Sequence, residues 1–414
     1  MSTEKENDYY IDVALSLLRE LEGVRVAGTE GEKRARDVIK KYILKTGSEV
    51  EEEDFQLYIS TGISGNISVC GKEIDARPYG LSVPYEEEGT LLYFDHPEEA
   101  LSIKNNLSGV ICLFAVNPKY EDILTLKQKG CRGFIVAQRP IGKLASYHLR
   151  QKAIKDDAVL PSCVIRYEDA VSLLDCVGKK IVMKGEGKTF NTTSYNIIVK
   201  IPGIENTEEQ IIITGHYDTV PYAPGFSDNG AGVATMFSLL YYFKKHPIMR
   251  GLTFIFFSGE EWGLLGSQDY VKRHKDTLKD IVLGINLDVG GPPVGHLMSR
   301  ITGNNSLYEM VRSLLKNKGI YAEVKKGIYS SDSIPFAREH VPFVNLSRVG
   351  GKSTSYIHTE GDRGYFYRKE GFLRHVKSAL SIIEYTGCAE HIPFDRGIDD
   401  DVRKELEEYI KERF

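Results

Sequence analysis

Three apolar runs end in acids or a histidine: IIITGHYD from Ile211, LTFIFFSGEE from Leu252 and IVLGINLD from Ile281. None alternates apolar with polar residues, as a strand with one wet face does. A run of this kind reads as a parallel strand covered on both faces. In open α/β sheets the carboxyl ends of such strands line the ligand crevice. Three strands ending in ionisable residues therefore predict one polar pocket.

The rest of the chain supports that architecture. From about Asn191, strand-like segments YNIIVKI, QIIITGH, TFIFFSG, IVLGINLD, HLMSRI and VPFVNLS alternate with helical segments GAGVATMFSLLYYF, LLGSQDYVKRH and SLYEMVRSLLKN, and two more helices follow. This βαβ alternation predicts a doubly wound α/β fold, a mostly parallel mixed sheet with helices on both faces. At the front, Ile11, Leu15, Leu18 and Leu21 share one helical face, and Thr29 opens a second helix through about Lys45. Val50 to Tyr58 reads weakly as a strand. Between Gly62 and Lys188 the chain offers short strands (TLLYF, GVICLFAV, GFIVAQ, SCVIRY, KKIVMKG) and no catalytic cluster. The expected organisation is residues 1–61 and 189–414 as one catalytic domain, with residues 62–188 as a β-rich insertion.

Composition narrows the function. With a net charge of −5 there is no electrostatic case for nucleic acid. No apolar run nears the ~20 residues of a membrane span. The polar start MSTEKENDYY lacks the basic and apolar regions of a signal peptide, so a cytoplasmic location is expected, or secretion if a leader has been removed. The six cysteines form no C-x-x-C pair and are expected to be reduced core residues.

The chemistry lies in His216, Asp218, Asp228, Glu260, Glu261, Asp288 and His358. Two histidines and several carboxylates are ligands for zinc or a similar divalent metal. They outnumber the needs of one tetrahedral site and suit two metals sharing a carboxylate. Asp218, two residues past His216, is placed to hold the second imidazole nitrogen and fix the tautomer. Glu260 and Glu261 repel each other unless a cation or proton intervenes; one can bind metal while the other accepts a proton. Taken singly, Asp218 also reads as a turn cap, Asp228 as a helix N-cap and the glutamate pair as a solvated helix start.

GHYDT, PGFSDNGAG, SGEEWGLLGS, NLDVGG and YIHTEGD together resemble the dizinc aminopeptidases of metallopeptidase family twenty-eight, which also contains glutamate carboxypeptidases and glutaminyl cyclases. RVAGTEGEKRARDVIKKYI is similar to the family's opening helical segment, and residues 62–188 resemble its inserted protease-associated domain. The resemblance implies two divalent ions, zinc first among candidates. Asp228 would bridge them, His216 and Asp288 completing one site, Glu261 and His358 the other. It further implies Glu260 as general base, Asp218 orienting His216, and a cis peptide between Asp228 and Asn229. The expected reaction is attack of metal-activated water on the N-terminal peptide bond of substrates with a free α-amine. Tyr329 and Tyr356 are candidates for stabilising the oxyanion. The alternatives are a glutamate-carboxypeptidase-like exopeptidase, for which Arg338, Arg348 and Lys352 would be the cationic candidates, and an inactive binding or receptor-like relative. Expected partners are peptides, with neither nucleic acid nor membrane; the oligomeric state is left open.

Overall fold

The computed structural model describes residues 2–104, 106–138, 143–205, 208–292, 294–350, 354, 356–364 and 367–413. By its internal contacts the chain divides into two compact units: residues 1–55 with 193–408, and residues 56–192 with 409–414. The chain opens with helices α1 (Ser2–Leu21) and α2 (Glu30–Leu44).

The smaller unit contains β1 (Glu51–Val69), β2 (Lys72–Pro78), β3 (Tyr85–Phe94), β4 (Val110–Phe114), β5 (Gly133–Ala137), β6 (Ser162–Ile165) and β7 (Lys180–Ile201), in the sheet order β1-β2-β6-β5-β4-β3-β7. Short helices α3 (Pro97–Ser102), α4 (Tyr120–Gln128), α5 (Gln151–Lys155) and α6 (Tyr167–Leu173) lie between the strands. Its core gathers Ile67, Leu91, Ile111, Leu113, Ile135, Ile165 and Leu173. Two strands, β1 and β7, belong partly to each unit. Residue 62 falls inside β1 and residue 188 inside β7. The change of sequence character at Gly62 coincides with a left-handed backbone (φ 63°) within β1. The weak strand expected from Val50 to Tyr58 is the start of this long one; its mostly exposed, charged first residues hide the alternation.

The larger unit adds β8 (Gln210–His216), α7 (Ala231–Lys245), β9 (Gly251–Phe257), α8 (Leu265–Arg273), β10 (Ile281–Leu287), β11 (His296–Thr302), α9 (Asn305–Asn317), β12 (Ala322–Lys326), α10 (Ser333–Arg338), β13 (Phe343–Val349) and α11 (Lys369–Gly387), and α12 (Asp400–Arg413) follows. Its sheet order is β7-β9-β8-β10-β13-β11-β12. The pairs β8–β9, β8–β10, β10–β13 and β11–β12 are parallel; β7–β9 and β11–β13 are antiparallel. The doubly wound, mostly parallel mixed sheet expected from the sequence is what forms. β12 went unread because AEVKK has only two apolar residues.

The unbroken apolar runs are explained by helices on both faces. Ile211, Ile213, Phe254, Phe256, Leu283 and Ile285 face a core built with α1, α2, α7, α9 and α11. The intervening Ile212, Ile255 and Phe257 face Tyr270 and Val271 of α8 and Phe336 of α10. Period-two alternation is present, but both phases are apolar.

The cysteines depart from expectation in part: Cys112, Cys131, Cys163 and Cys176 are buried, but Cys70 and Cys388 are exposed. No helix among the described residues is long and apolar enough to cross a membrane.

One buried histidine gives the fold a pH dependence. His375 of α11 is fully buried, its Nε2 3.2 Å from Leu346 O and its Nδ1 3.5 Å from Thr235 Oγ1. Burial pushes its pKa from 6.5 down to about 4. The unfolded chain takes up a proton that the folded chain refuses, so stability holds above pH 6.5 and falls as pH drops from 6.5 toward 4. The full loss is about 3 kcal/mol at 1.36 kcal/mol per pH unit. Urea unfolding of the parent and His375→Gln at pH 7 and pH 4.5 checks this; the variant should lose less stability between the two.

Candidate metal centre

The residues singled out from the sequence converge at the carboxyl ends of β8, β9 and β10. His216 is the last residue of β8, and its Nε2 lies 3.2 Å from Asp228 Oδ1, 3.3 Å from Asp288 Oδ1 and 3.9 Å from Glu260 Oε2. His358 Nε2 lies 3.1 Å from both Asp228 Oδ2 and Glu261 Oε2. The two oxygens of Asp228 thus face different histidines. Ligand atoms of His216, Asp228 and Asp288 lie within 4.8 Å of one another, as do those of Asp228, Glu261 and His358.

Asp218 is fully buried, with Oδ1 3.5 Å from His216 Nδ1. The same oxygen accepts from the Glu260 backbone N–H at 3.3 Å, so Asp218 links the β8 end to the β9 end. At that end Gly259 has φ 69°, and a Cβ there would come 3.1 Å from the Phe55 ring. Only glycine turns Glu260 and Glu261 back over the sheet without strain or crowding.

Asp228 sits in the turn Phe226–Gly230, just before α7, and the Asp228–Asn229 peptide is cis. Its position is held from both sides. Asp362 accepts the N–H groups of Ser227 (2.8 Å) and Asp228 (3.0 Å). The Asn229 side chain donates to Leu287 O at 2.8 Å and accepts from Gly232 N at 3.1 Å, tying the turn to β10.

The sequence reading did not single out these supports. Arg25, with no exposed surface, donates to the carbonyls of Leu21, Gly23, Tyr217, Pro224 and Gly225. Its guanidinium frames the loop between His216 and Asp228. Glu32 accepts from Tyr217 Oη (2.8 Å), Ser194 Oγ (2.6 Å) and Gly28 N (2.6 Å). Asp332 is 1% exposed and its Oδ1 has no hydrogen-bond partner. Burial pushes its carboxyl up to about 7, with the His216 charge and a Ser267 hydrogen bond opposing and Asp218 and Asp288 adding. Asp332 stands at the N-cap position of α10, but its side chain makes no cap hydrogen bond.

The two tyrosines part company. Burial raises the Tyr329 hydroxyl well above its ordinary range, and the Asp288, Asp228 and Glu260 carboxylates add to the shift. Tyr329 therefore stands within the field of the acids. The Tyr356 ring covers Gly361, where a Cβ would sit 2.4 Å from it.

The donor set fits a divalent cation. One imidazole nitrogen carries one lone pair or one hydrogen, yet His216 Nε2 faces three carboxylate oxygens. Asp288 Oδ1 is buried and lacks a hydrogen-bond partner even with His216 Nε2 at 3.3 Å. Burial pushes the Glu260 carboxyl well above the usual range; His216 opposes the shift, while Glu261 and Asp288 add to it. Buried carboxylates packed this closely require a compensating cation or protons.

Acids and histidines gathered at the carboxyl edge of such a sheet are a donor set for divalent metal ions. Residues 196–382 match peptidase family M28. The chain is 28% identical to Aminopeptidase YwaD of Bacillus subtilis over 87% of this chain and 79% of that protein. It is also 28% identical to a vacuolar membrane protease of Candida glabrata over 74% of this chain, but spans only 32% of that relative's length. The solved structure of BSAP, a zinc aminopeptidase from Bacillus subtilis, has the same fold, with TM-score 0.74 and 22% identity over 95% of this chain and 98% of that one.

Proposed function

We propose that this chain is a zinc-dependent aminopeptidase that removes N-terminal residues from peptides with a free α-amine. The observation that carries the reading is Asp228, whose two oxygens face His216 and His358 separately. A carboxylate so placed suits two divalent ions, His216 and Asp288 holding one with it, Glu261 and His358 the other. Bound there, such ions lower the pKa of water and polarise a carbonyl. Glu260 takes the proton of the attacking water and returns it to the leaving amine. Asp218 keeps His216 in one tautomer. Tyr329 and Tyr356 are the two candidates for the donor to the carbonyl oxygen. Residues 62–188 are read as the inserted protease-associated-like domain, and the described part contributes no residue to the three acid–histidine groupings.

The direction of attack follows from charge. Asp228, Glu260, Glu261 and Asp288 make an acidic pocket that suits an ammonium better than a carboxylate. The cations that a carboxypeptidase would use lend no support: Arg338 is exposed, Arg348 Nε donates to Pro292 O at 2.7 Å, and Lys352 lies outside the described residues. The name of the relative Aminopeptidase YwaD points the same way. An aminoacyl anilide should be hydrolysed about 10- to 100-fold faster than its N-acetyl form, the worth of one charge-assisted contact. Equal rates, or release of C-terminal residues first in a peptide time course, would place the chain with the carboxypeptidases.

A further inference from the structure

Five of the six cysteines lie between residues 56 and 192, and there two pairs bring their sulfurs together. Cys112 and Cys131 are both buried, with Sγ atoms 3.6 Å apart, and the Cys131 sulfur also faces Gly133 O at 3.2 Å and Val110 O at 3.5 Å. That is an ordinary non-bonded contact among buried polar groups. Cys70 and Cys176 are different. Their Sγ atoms are 2.7 Å apart, well inside the first pair's contact distance and toward the ~2.05 Å of a bond. Cys70 is exposed, so small molecules can reach it.

The backbone at Cys70 supplies a second, independent observation. Val69 of β1 pairs with Lys72 of β2, leaving Cys70 and Gly71 as a two-residue hairpin loop. Both have positive φ, 52° and 74°. A loop of this kind strongly prefers Asn-Gly or Asp-Gly, because a short polar side chain relieves the left-handed conformation by local hydrogen bonding. Cysteine offers no such relief. Its sulfur is aimed instead at Cys176, the last residue of the single turn Leu174–Cys176 and 6% exposed. The hydrogen bond with Cys70 and burial raise the Cys176 thiol pKa, while the charges of Lys179 and Lys72 favour its thiolate.

We infer that Cys70 and Cys176 form a reversible disulfide, closed by exchange with a small-molecule disulfide, that staples the β1–β2 hairpin tip to the turn preceding β7. The exposed Cys70 thiolate attacks one sulfur of the small disulfide, breaking its S–S bond and releasing one small thiol. The Cys176 thiolate then attacks the Cys70 sulfur of the mixed disulfide and releases the second. Two protein thiols are oxidised to one disulfide, one small disulfide is reduced to two thiols, and the two protons end on those thiols. The bond spans 106 positions of sequence, so it restricts the unfolded chain strongly.

The test uses the full chain equilibrated with oxidised glutathione, quenched in acid, then alkylated in denaturant. In the parent, two of the six cysteines should resist alkylation, and digestion should yield one cross-linked pair of peptides holding Cys70 and Cys176, lighter by two hydrogens. The oxidised parent should melt several degrees above the reduced parent. Cys70→Asn, which suits the turn, should melt at one temperature in both conditions. Cys176→Ser should keep glutathione on Cys70, because nothing displaces it. Six alkylated cysteines in the parent, glutathione persisting on parental Cys70, a cross-link between other cysteines, or identical melting of oxidised and reduced parent would each overturn the proposal.

Discussion

Glu260→Gln is expected to keep the full metal content of the parent and lose between about two and four orders of magnitude in kcat, the usual worth of a positioned general base. The change conserves size and leaves a hydrogen-bonding side chain, but the amide cannot take a proton. Glu260 Oε2 is the most distant of the three carboxylate oxygens around His216 Nε2, at 3.9 Å against 3.2 and 3.3 Å. That separation suits a group beside the ions better than a ligand. KM should move little, since the acids of the pocket other than Glu260 are untouched. Metal analysis by mass spectrometry together with steady-state kinetics separates the outcomes. A variant within tenfold of the parent would remove Glu260 from the role of base, and one that loses metal would make it a ligand.

Asp228→Ala should do the opposite: lose bound metal and activity together. The two oxygens of Asp228 face His216 and His358 separately, as the proposed bridging role requires. Removing Asp228 leaves each histidine with one fewer carboxylate and opens a gap where Asp362 and Asn229 now hold the turn. Two zinc ions per chain are expected in the parent and fewer than one in the variant, with activity down by at least about 1,000-fold, the combined loss of metal activation and proton transfer. The fold should survive, because the apolar core on both faces of the sheet does not depend on the site. Far-ultraviolet circular dichroism of the variant checks that point. Retention of two tightly bound ions would contradict the bridging role.

How much of this was legible in the sequence depends on where each residue sits. His216, Glu260, Glu261 and Asp288 could be read because each ends an apolar strand, and the strand's period and direction say where its last side chain goes. The mostly parallel sheet was legible for the same reason. Asp228 and His358 sit in turns with no period, so local pattern alone leaves them ambiguous, and residue type rather than strand direction grouped them with the others. Arg25 and Glu32 were hidden in a stretch that reads as a turn and a helix start. Their partners, Tyr217, Pro224, Gly225 and Ser194, lie more than 150 positions further on, and local pattern carries no information over that distance. Asp332 was masked by its place at the start of a helix, where an acid is ordinary. Cys70 passed for a core residue because it follows an apolar alternation, although Cys-Gly between two strands fits a tight hairpin loop.

The distance between the supports of Asp228 has a consequence for synthesis. Arg25, which frames the loop leading to Asp228, leaves the ribosome early; His358 and Asp362 emerge only after more than 300 further residues have been added. A nascent chain that has not passed Asp362 can carry the strands, the glutamates and most of the core, yet Asp228 then lacks both its backbone anchor and its second histidine. Such a chain lacks Asp362, and before residue 358 His358 as well, so the grouping around Asp228 stays incomplete while it is being made. The site is thus completed late, in an order set by where its residues stand along the chain.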